Sequence, residues 1–315
     1  MSDHGPDSAD GSGDGHDERR LVPAEGAAGA ADPAAAVLGA VAAVAPEVRA
    51  SLSRHRGYVA ETNESGDDVT EADVYADERL AEVVGAVGGV GEYVSEEQSA
   101  VVDVGPDPAD PDAVAVAVDP LDGSSNLQSN NPTGTIVGVY DAPLPAGGAD
   151  LVASAYVLFG PTTRMVAARE GRVQEYHVDD EGATLATDDL ALPAEPTVYG
   201  FGGGRDAWPD AFRAYADSVA EELKLRYGGA FVADVTQVLT YGGVFAYPAL
   251  TDAPRGKLRA LFEALPVAQI VEAAGGRSSD GERSLLALDP DDIHERTPVY
   301  VGNAAYVDRL EDALD

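Results

Sequence analysis

The sequence predicts a layered α/β (α+β) protein, and three observations carry the prediction. Apolar, β-branched runs of strand length recur between residues 90 and 178, bounded by Gly, Pro and Asp clusters. Stretches of helical composition precede them and alternate with shorter strands in the second half. No internal repeat is present, and 315 residues are enough for a substantial core in one large or two modest domains.

In chain order, residues 1–33 are rich in Gly, Asp, Ser and Ala, carry too little apolar surface to order themselves, and are expected to form a disordered acidic tail. Residues 34–56 have helical composition, the polar stretch Glu61 to Asp68 reads as a loop, and a second helix is expected over 71–86, before Gly88-Gly89. Strands follow near 90–94, 113–118, 133–140, 151–159, 163–168 and 172–178, then a Pro/Asp/Gly-rich connection over 179–196. The second half opens on Thr197-Val198-Tyr199-Gly200. Helices are expected near 208–222, 231–240 and 257–274, strands near 243–247, 285–289 and 298–301, and a final helix closes the chain. The expected division is an N-terminal α+β domain over 34–190 and a C-terminal α/β domain over 191–315.

Composition removes several function classes. There are no cysteines, which excludes disulfides, thiolate metal sites and cysteine nucleophiles, and the five histidines form no close pair of the zinc-hydrolase type. Hard cations held by carboxylates remain. A net charge of −36 repels nucleic acid and anionic membrane surfaces. No uninterrupted apolar run reaches the ~20 residues of a membrane span, and the acidic N-terminus lacks a signal-peptide core, so a cytoplasmic protein is expected. The bases are eighteen arginines and two lysines, Lys224 and Lys257, a pattern similar to that of proteins from salt-accumulating halophiles. High salt screens the self-repulsion of such a surface.

The octapeptide Asp119-Pro120-Leu121-Asp122-Gly123-Ser124-Ser125-Asn126 follows the apolar run Ala113 to Val118. A buried strand ending in two carboxylates three residues apart can present both to one cation. Gly123 permits a sharp turn, after which the amides and hydroxyls of Gly123, Ser124 and Ser125 are free to face an anion. Carboxylates for a hard cation beside donors for a phosphate suit metal-assisted phosphoester hydrolysis. The competing reading is a solvent-exposed Asp/Gly/Ser turn. Further acidic segments support the first: Asp67-Asp68 with Asp73, Glu96-Glu97, and Glu263 interrupting an apolar stripe from Leu258 to Pro266. A buried glutamate there needs a partner such as a cation; the alternative is a surface pair with Arg259.

Taken together, these segments resemble the class I fructose-1,6-bisphosphatases, within the superfamily that also holds the inositol monophosphatases. The octapeptide matches the superfamily signature. Ser95-Glu96-Glu97, Val232-Ala233-Asp234-Val235 with Tyr241 to Pro248, and Gly256-Lys257-Leu258-Arg259 running to Glu263 and Glu272 to Gly276 match the bisphosphatase branch, and the likeness covers roughly 66–303. The resemblance implies a layered αβαβα sandwich and magnesium-dependent hydrolysis of fructose 1,6-bisphosphate in gluconeogenesis. It places two or three Mg2+, with Mn2+ able to substitute, on Glu96, Glu97, Asp119, Asp122, Glu263 and the carbonyl of Leu121. Asp73 and Glu97 would activate the water, and Asp67 matches the acid of a loop that closes over the metals. Gly123, Ser124 and Ser125 would hold the 1-phosphate, and Lys257, Tyr227, Tyr247 and Arg226 the 6-phosphate. The arginine crosses a subunit interface in the family, which implies a homo-oligomer, a tetramer.

Two departures stand out. Where the family places an Asn and a Tyr on the sugar phosphate, this chain runs Gly200-Phe201-Gly202-Gly203-Gly204-Arg205, with Arg205 a candidate replacement ligand. Ala113-Val114 and Asp141 occupy positions at which animal enzymes bind the inhibitor AMP through Lys-Tyr and Arg, so AMP inhibition is expected to be weak or absent. The altered segment keeps open a phosphatase for sedoheptulose 1,7-bisphosphate or an inositol monophosphate; a catalytically silent sugar-phosphate sensor is the remote alternative, which loss of the metal carboxylates would have signalled, and all of them are present.

Overall fold

The computed structural model describes residues 20–21, 32–55, 57–62, 68–107 and 110–314. After strand Arg20–Leu21 (β1) comes helix Pro33–Leu52 (α1), then strands Tyr58–Thr62 (β2) and Asp68–Thr70 (β3) and helix Glu71–Gly85 (α2). Strands Val90–Ser95 (β4), Val102–Asp103 (β5) and Val114–Asp122 (β6), a helical turn Asn126–Ser129 (α3), and strands Thr133–Tyr140 (β7), Leu151–Phe159 (β8), Thr163–Arg169 (β9), Arg172–Asp179 (β10) and Gly182–Thr187 (β11) complete the first half. The second half runs Val198–Phe201 (β12), Asp210–Glu222 (α4), Lys224–Leu225 (β13), Phe231–Tyr241 (α5), Gly243–Tyr247 (β14), Leu258–Arg259 (β15), a π-helical turn Ala260–Ala264, Leu265–Ala273 (α6), Arg277–Ser279 (β16), Arg296–Thr297 (β17), Val299–Gly302 (β18) and Ala304–Leu314 (α7).

A nine-stranded sheet, in the order β1-β11-β10-β9-β8-β7-β6-β4-β5, is antiparallel except where β4 lies parallel to β6. A second sheet has the order β13-β12-β14-β18-β16. Helices α1 and α2 cover the outer face of the large sheet, α5 and α6 fill the space between the two sheets, and α4 and α7 close the far side of the small one. The αβαβα layering matches the expectation. Each interface has its own apolar core, and the middle one mixes residues from both halves, with Ile136 and Tyr156 of the large sheet beside Phe231, Leu265 and Ile270.

Local chemistry explains the helix starts. Asp32 caps α1 by accepting from the Ala35 amide (3.1 Å), with Pro33 at the first position, where its missing N–H costs nothing. At α2, Thr70 and Asp73 form a reciprocal capping box.

Several expectations need correction. The 1–33 tail is not wholly without order: Arg20–Leu21 pairs with β11 and Asp32 caps α1, while 1–19 and 22–31 lie outside the described residues. The 179–196 connection contains β11, which extends the meander by one hairpin through Gly182 (φ +119°). The single helix expected over 257–274 begins as a strand and a π-helical turn, because β15 pairs with β17 before the chain enters α6. The strand expected over 285–289 is a 3-10 turn, Leu285–Ala287, capped by the Ser284 hydroxyl. Residues 33–51 are also long and apolar enough to cross a membrane by length and composition alone, although Glu47 and Arg49 interrupt the apolar run. Here Val37, Val41, Val44 and Val48 are buried in the outer core, packed with α2 and β8.

Candidate active site

The parallel pairing of β4 with β6 brings two acidic segments to the same edge of the sheet. Ser95 pairs with Val118, and the Glu96 amide donates to the Val118 carbonyl (2.9 Å), so Glu96-Glu97 leaves the sheet beside the point where Asp119 emerges. Asp119 and Asp122 are three residues apart and would face opposite sides of a regular strand. A bulge resolves this: Asp119 pairs with Ile136 but Asp122 with Gly134, so β6 holds one residue more than β7 over the same interval, with Pro120 at the irregularity. The two carboxylates then converge with that of Glu263, which the π-helical turn supplies from between the sheets. Ligand-capable oxygens of Asp119, Asp122 and Glu263 lie within 4.8 Å of one another, and all three residues are buried.

Four of these acids are held by backbone donors. The Leu121 amide donates to Asp119 Oδ1 (3.0 Å). The amides of Phe231 and Val232, at the start of α5, donate to Asp122 Oδ1 and Oδ2 (3.0 and 2.7 Å). The Arg259 amide donates to Glu263 Oε2 (2.6 Å). Asp73 accepts from the Thr70 amide (2.6 Å), so one carboxylate both caps α2 and faces the site. The guanidinium of buried Arg259 pairs with Oε1 of half-buried Glu96 (3.0 Å), and so Arg259 does not form the surface pair with Glu263 that was the alternative.

These donors do not offset the charge. Burial, followed by repulsion from Glu96, pushes the Asp119 and Glu263 carboxyls well above the carboxylate range. Burial raises Glu97 to about 8, with Glu96, Asp73 and Asp77 adding to the effect, and raises Asp73 as well. Buried carboxylates that repel one another are stable as anions only with a compensating cation. Their all-oxygen donor set, with a cysteine-free chain around it, fits a hard divalent ion such as magnesium.

A cleft of about 390 Å³ opens over this cluster, and its lining includes Asp73, Glu96, Glu97, Asp119, Leu121, Asp122 and Glu263 together with Gly123, Ser124, Ser125, Tyr227, Tyr247 and Lys257. Gly123 (φ +71°) must be glycine, since a Cβ would lie 2.4 Å from Ala230 Cβ. Lys257 follows Gly256 (φ +81°), whose own Cβ would collide with the Thr297 backbone. Among the described residues, two that were expected in the site, Arg226 and Arg205, do not line the cleft. Asp67 lies outside the described residues. Arg226 is exposed, donates to Gln237 Oε1 (3.2 Å) and stacks over Tyr241. Arg205 lies away from the cleft lining: its guanidinium is bound to Asp217 (2.8 Å) and stacks on Trp208. The glycines beside it are not a void either. A Cβ at Gly202 would fall 2.4 to 2.9 Å from the Tyr247 ring, so the absent side chain is what seats that tyrosine.

Sequence reasoning missed Arg259, Tyr58 and Asp234 as lining residues. The sequence suggested Arg259 as a surface partner of Glu263, and its burial beside Glu96 has no local sequence signal.

A separate cavity of about 650 Å³ at the start of α1 is lined by Asp32, Ala113, Val114, Asp141, Arg169 and Glu170 among others. It contains the positions where AMP-binding cations were sought. Its arginine is already paired with Asp32 and, at 3.6 Å, with Glu170.

Layers, acidic cluster and the Gly123–Ser125 loop lining the same cleft together define a metal-dependent phosphatase of the sugar-phosphatase type. Residues 35–188 match the family model described as the fructose-1-6-bisphosphatase N-terminal domain, and residues 192–315 match that of the C-terminal domain. The chain is 55% identical over 279 residues to a class 1 fructose-1,6-bisphosphatase of Natronomonas pharaonis, covering 88% of this chain and 97% of the relative. It is also 55% identical over 284 residues to that of Halobacterium salinarum, covering 90% and 98%. The fold is similar to the holo crystal structure of Leishmania major fructose-1,6-bisphosphatase, with a TM-score of 0.82, 27% identity and coverage of 90% and 94%. The chain belongs to the class 1 fructose-1,6-bisphosphatase family.

Proposed function

We propose that this chain hydrolyses fructose 1,6-bisphosphate to fructose 6-phosphate and inorganic phosphate with the residues that line the cleft. The observation that carries the assignment is one cleft that pairs a buried acidic cluster with an exposed lysine, one of only two in a chain of net charge −36. Two or three magnesium ions held by Glu96, Glu97, Asp119, Asp122, Glu263 and the Leu121 carbonyl would neutralise the phosphoryl oxygens, acidify a water and stabilise the leaving alkoxide. Ser124, Ser125 and the amides after Gly123 grip the 1-phosphate. Asp73 and Glu97 orient the water and take its proton as the new P–O bond forms. The bond from phosphorus to the C1 oxygen breaks, and that oxygen leaves with a proton from solvent. Asp67 is proposed to complete the acidic ring around bound substrate.

At the other end Lys257, Tyr227 and Tyr247 hold the 6-phosphate, which lets the site tell a bisphosphate from a monophosphate. Arg226 adds to this subsite from a second copy of the chain, so the working form is proposed to be a homotetramer. Its exposure beside exposed Leu225, Tyr227 and Tyr241 supports that reading. The division near residue 190 is proposed to separate a part that carries most metal ligands from one that carries Glu263 and Lys257. The acidic surface suits a cytoplasm of high salt.

The test is phosphate release from fructose 1,6-bisphosphate with magnesium in molar KCl. Fructose 6-phosphate is the expected product, and no release under those conditions would sink the assignment.

A further inference from the structure

The structure assigns a positioning role to Asn126 and Asp234: from opposite sides they fix the turn Arg226–Gly229 against the octapeptide, setting where Tyr227 stands relative to the acidic cluster. This inference rests on the reading of the cleft as a bisphosphate site. Neither residue belongs to the acidic cluster, and both are buried, at 9% and 3% exposure.

Asp234 sits in the first turn of α5, and its carboxylate reaches back to the segment that leads into the helix. The Gly228 amide donates to Oδ1 (2.6 Å) and the Gly229 amide to Oδ2 (3.2 Å). Asn126, the last residue of the octapeptide, donates from Nδ2 to the Gly228 carbonyl (2.9 Å) and to the Pro132 carbonyl (2.8 Å). Both polar groups of Gly228 are thus taken by side chains from two separate elements. Gly229 (φ +79°) closes against the same asparagine, since a Cβ there would lie 3.2 Å from Asn126 Oδ1. A buried carboxylate needs hydrogen bonds from fixed donors, and this turn supplies two only in its present conformation.

The same helix start serves the other end of the cleft. Its Phe231 and Val232 amides hold Asp122, while Asp234, one turn on, holds the turn that carries Tyr227. The near and far ends of the cleft are therefore fastened to one short piece of backbone, and Asn126 ties that piece back to the octapeptide. Loosening the turn should move the far-end contacts and spare the chemistry.

The test uses the full-length variants Asp234→Asn and Asn126→Ala with magnesium in molar KCl. Substrates are fructose 1,6-bisphosphate and p-nitrophenyl phosphate, which has no second phosphate. The KM for the bisphosphate should rise about tenfold or more in each, as for loss of an outer residue that orients a ligand, with kcat within about threefold. Turnover of p-nitrophenyl phosphate should stay within about twofold, and the double variant should lose less than the product of the single losses, because both residues hold one turn. An unchanged KM, or proportional loss on both substrates, overturns the role. Hydrogen exchange separates this failure from failure of the substrate reading. Asp234→Asn should speed exchange of the 226–230 amides about tenfold and leave 114–122 protected, whatever the substrate. Unchanged exchange overturns the clamp, whereas a loosened turn in an enzyme inactive on the bisphosphate overturns only the substrate reading.

Discussion

The acidic end of the cleft is assembled from the buried ends of β4 and β6 and the π-helical turn, while its lysine-bearing end comes from connecting segments at the surface. Asp119, Asp122 and Glu263 are each 5 to 7% exposed and fixed by backbone donors. Lys257 and Tyr227 are exposed, and what positions them is the turns at Gly256 and Gly228-Gly229. The first end concentrates charge that the fold alone does not tolerate, and the second presents an exposed cation to the cleft. Such a division suits an enzyme whose chemistry is done at one phosphate and whose selectivity is read at the other.

The largest effect should come from breaking the buried end. Asp119→Asn or Asp122→Asn is expected to lower kcat at least about 10³-fold, comparable to removing a group that stabilises charge in the transition state. The same variants should melt higher than the parent in metal-free buffer at pH 8, because each removes one uncompensated buried charge; a lower melting point there would contradict the account. At the other end, Lys257→Ala should raise the KM for fructose 1,6-bisphosphate about 10- to 100-fold, the worth of a charge-assisted hydrogen bond, and change kcat little. Steady-state kinetics with both constants resolved checks this.

Smaller effects should follow pH. Carboxyls whose folded pKa is raised bind more protons in the folded state than in the unfolded one, so metal-free stability should fall as pH rises from about 4 through about 8, the value to which Glu97 is pushed. A bound divalent cation removes that penalty, and the magnesium-induced rise in melting temperature should be larger at pH 8 than at pH 5.5. Equal rises at the two pH values would mean that the cluster is not the magnesium site. The smallest effects are expected outside the cleft. Arg205→Ala should change KM by less than about twofold, because it breaks a surface ion pair and a stacking contact on Trp208 that both lie outside the cleft. Millimolar AMP should leave the rate unchanged, given the acidic lining around Asp141 and the paired Arg169; inhibition at micromolar AMP would show that the α1 cavity still accepts a nucleotide.

The same contrast explains what could be read from the sequence. Strands β6 to β10 carry unbroken apolar or alternating patterns, and the octapeptide concentrates its chemistry in eight adjacent residues, so both the meander and the acidic end were legible. The bulge that turns Asp119 and Asp122 to one side was not, because it depends on pairing with β7. Glu263 stood out as a charge in an apolar stripe, but the π-helical turn around it read as ordinary helix, since its apolar neighbours fit either period. At the surface end, local sequence misled. Arg205 stands next to the glycines and seemed to fill their place, yet Asp217 on the next helix captures it. Arg259 pairs with Glu96, distant in sequence, and Asp234 binds a nearby turn that is also held by distant Asn126, contacts which no local pattern reports.

The central claim is that one end of the cleft does the chemistry and the other reads the second phosphate. The most direct measurement is kcat/KM of the parent and of Lys257→Ala for fructose 1,6-bisphosphate and for fructose 1-phosphate, with magnesium in molar KCl. The account predicts that the parent prefers the bisphosphate by about 10-fold or more, the worth of the charged contacts to the 6-phosphate, and that Lys257→Ala loses most of this preference while keeping its rate on the monophosphate. Equal rates on the two substrates in the parent, or a preference that survives the loss of Lys257, would contradict it.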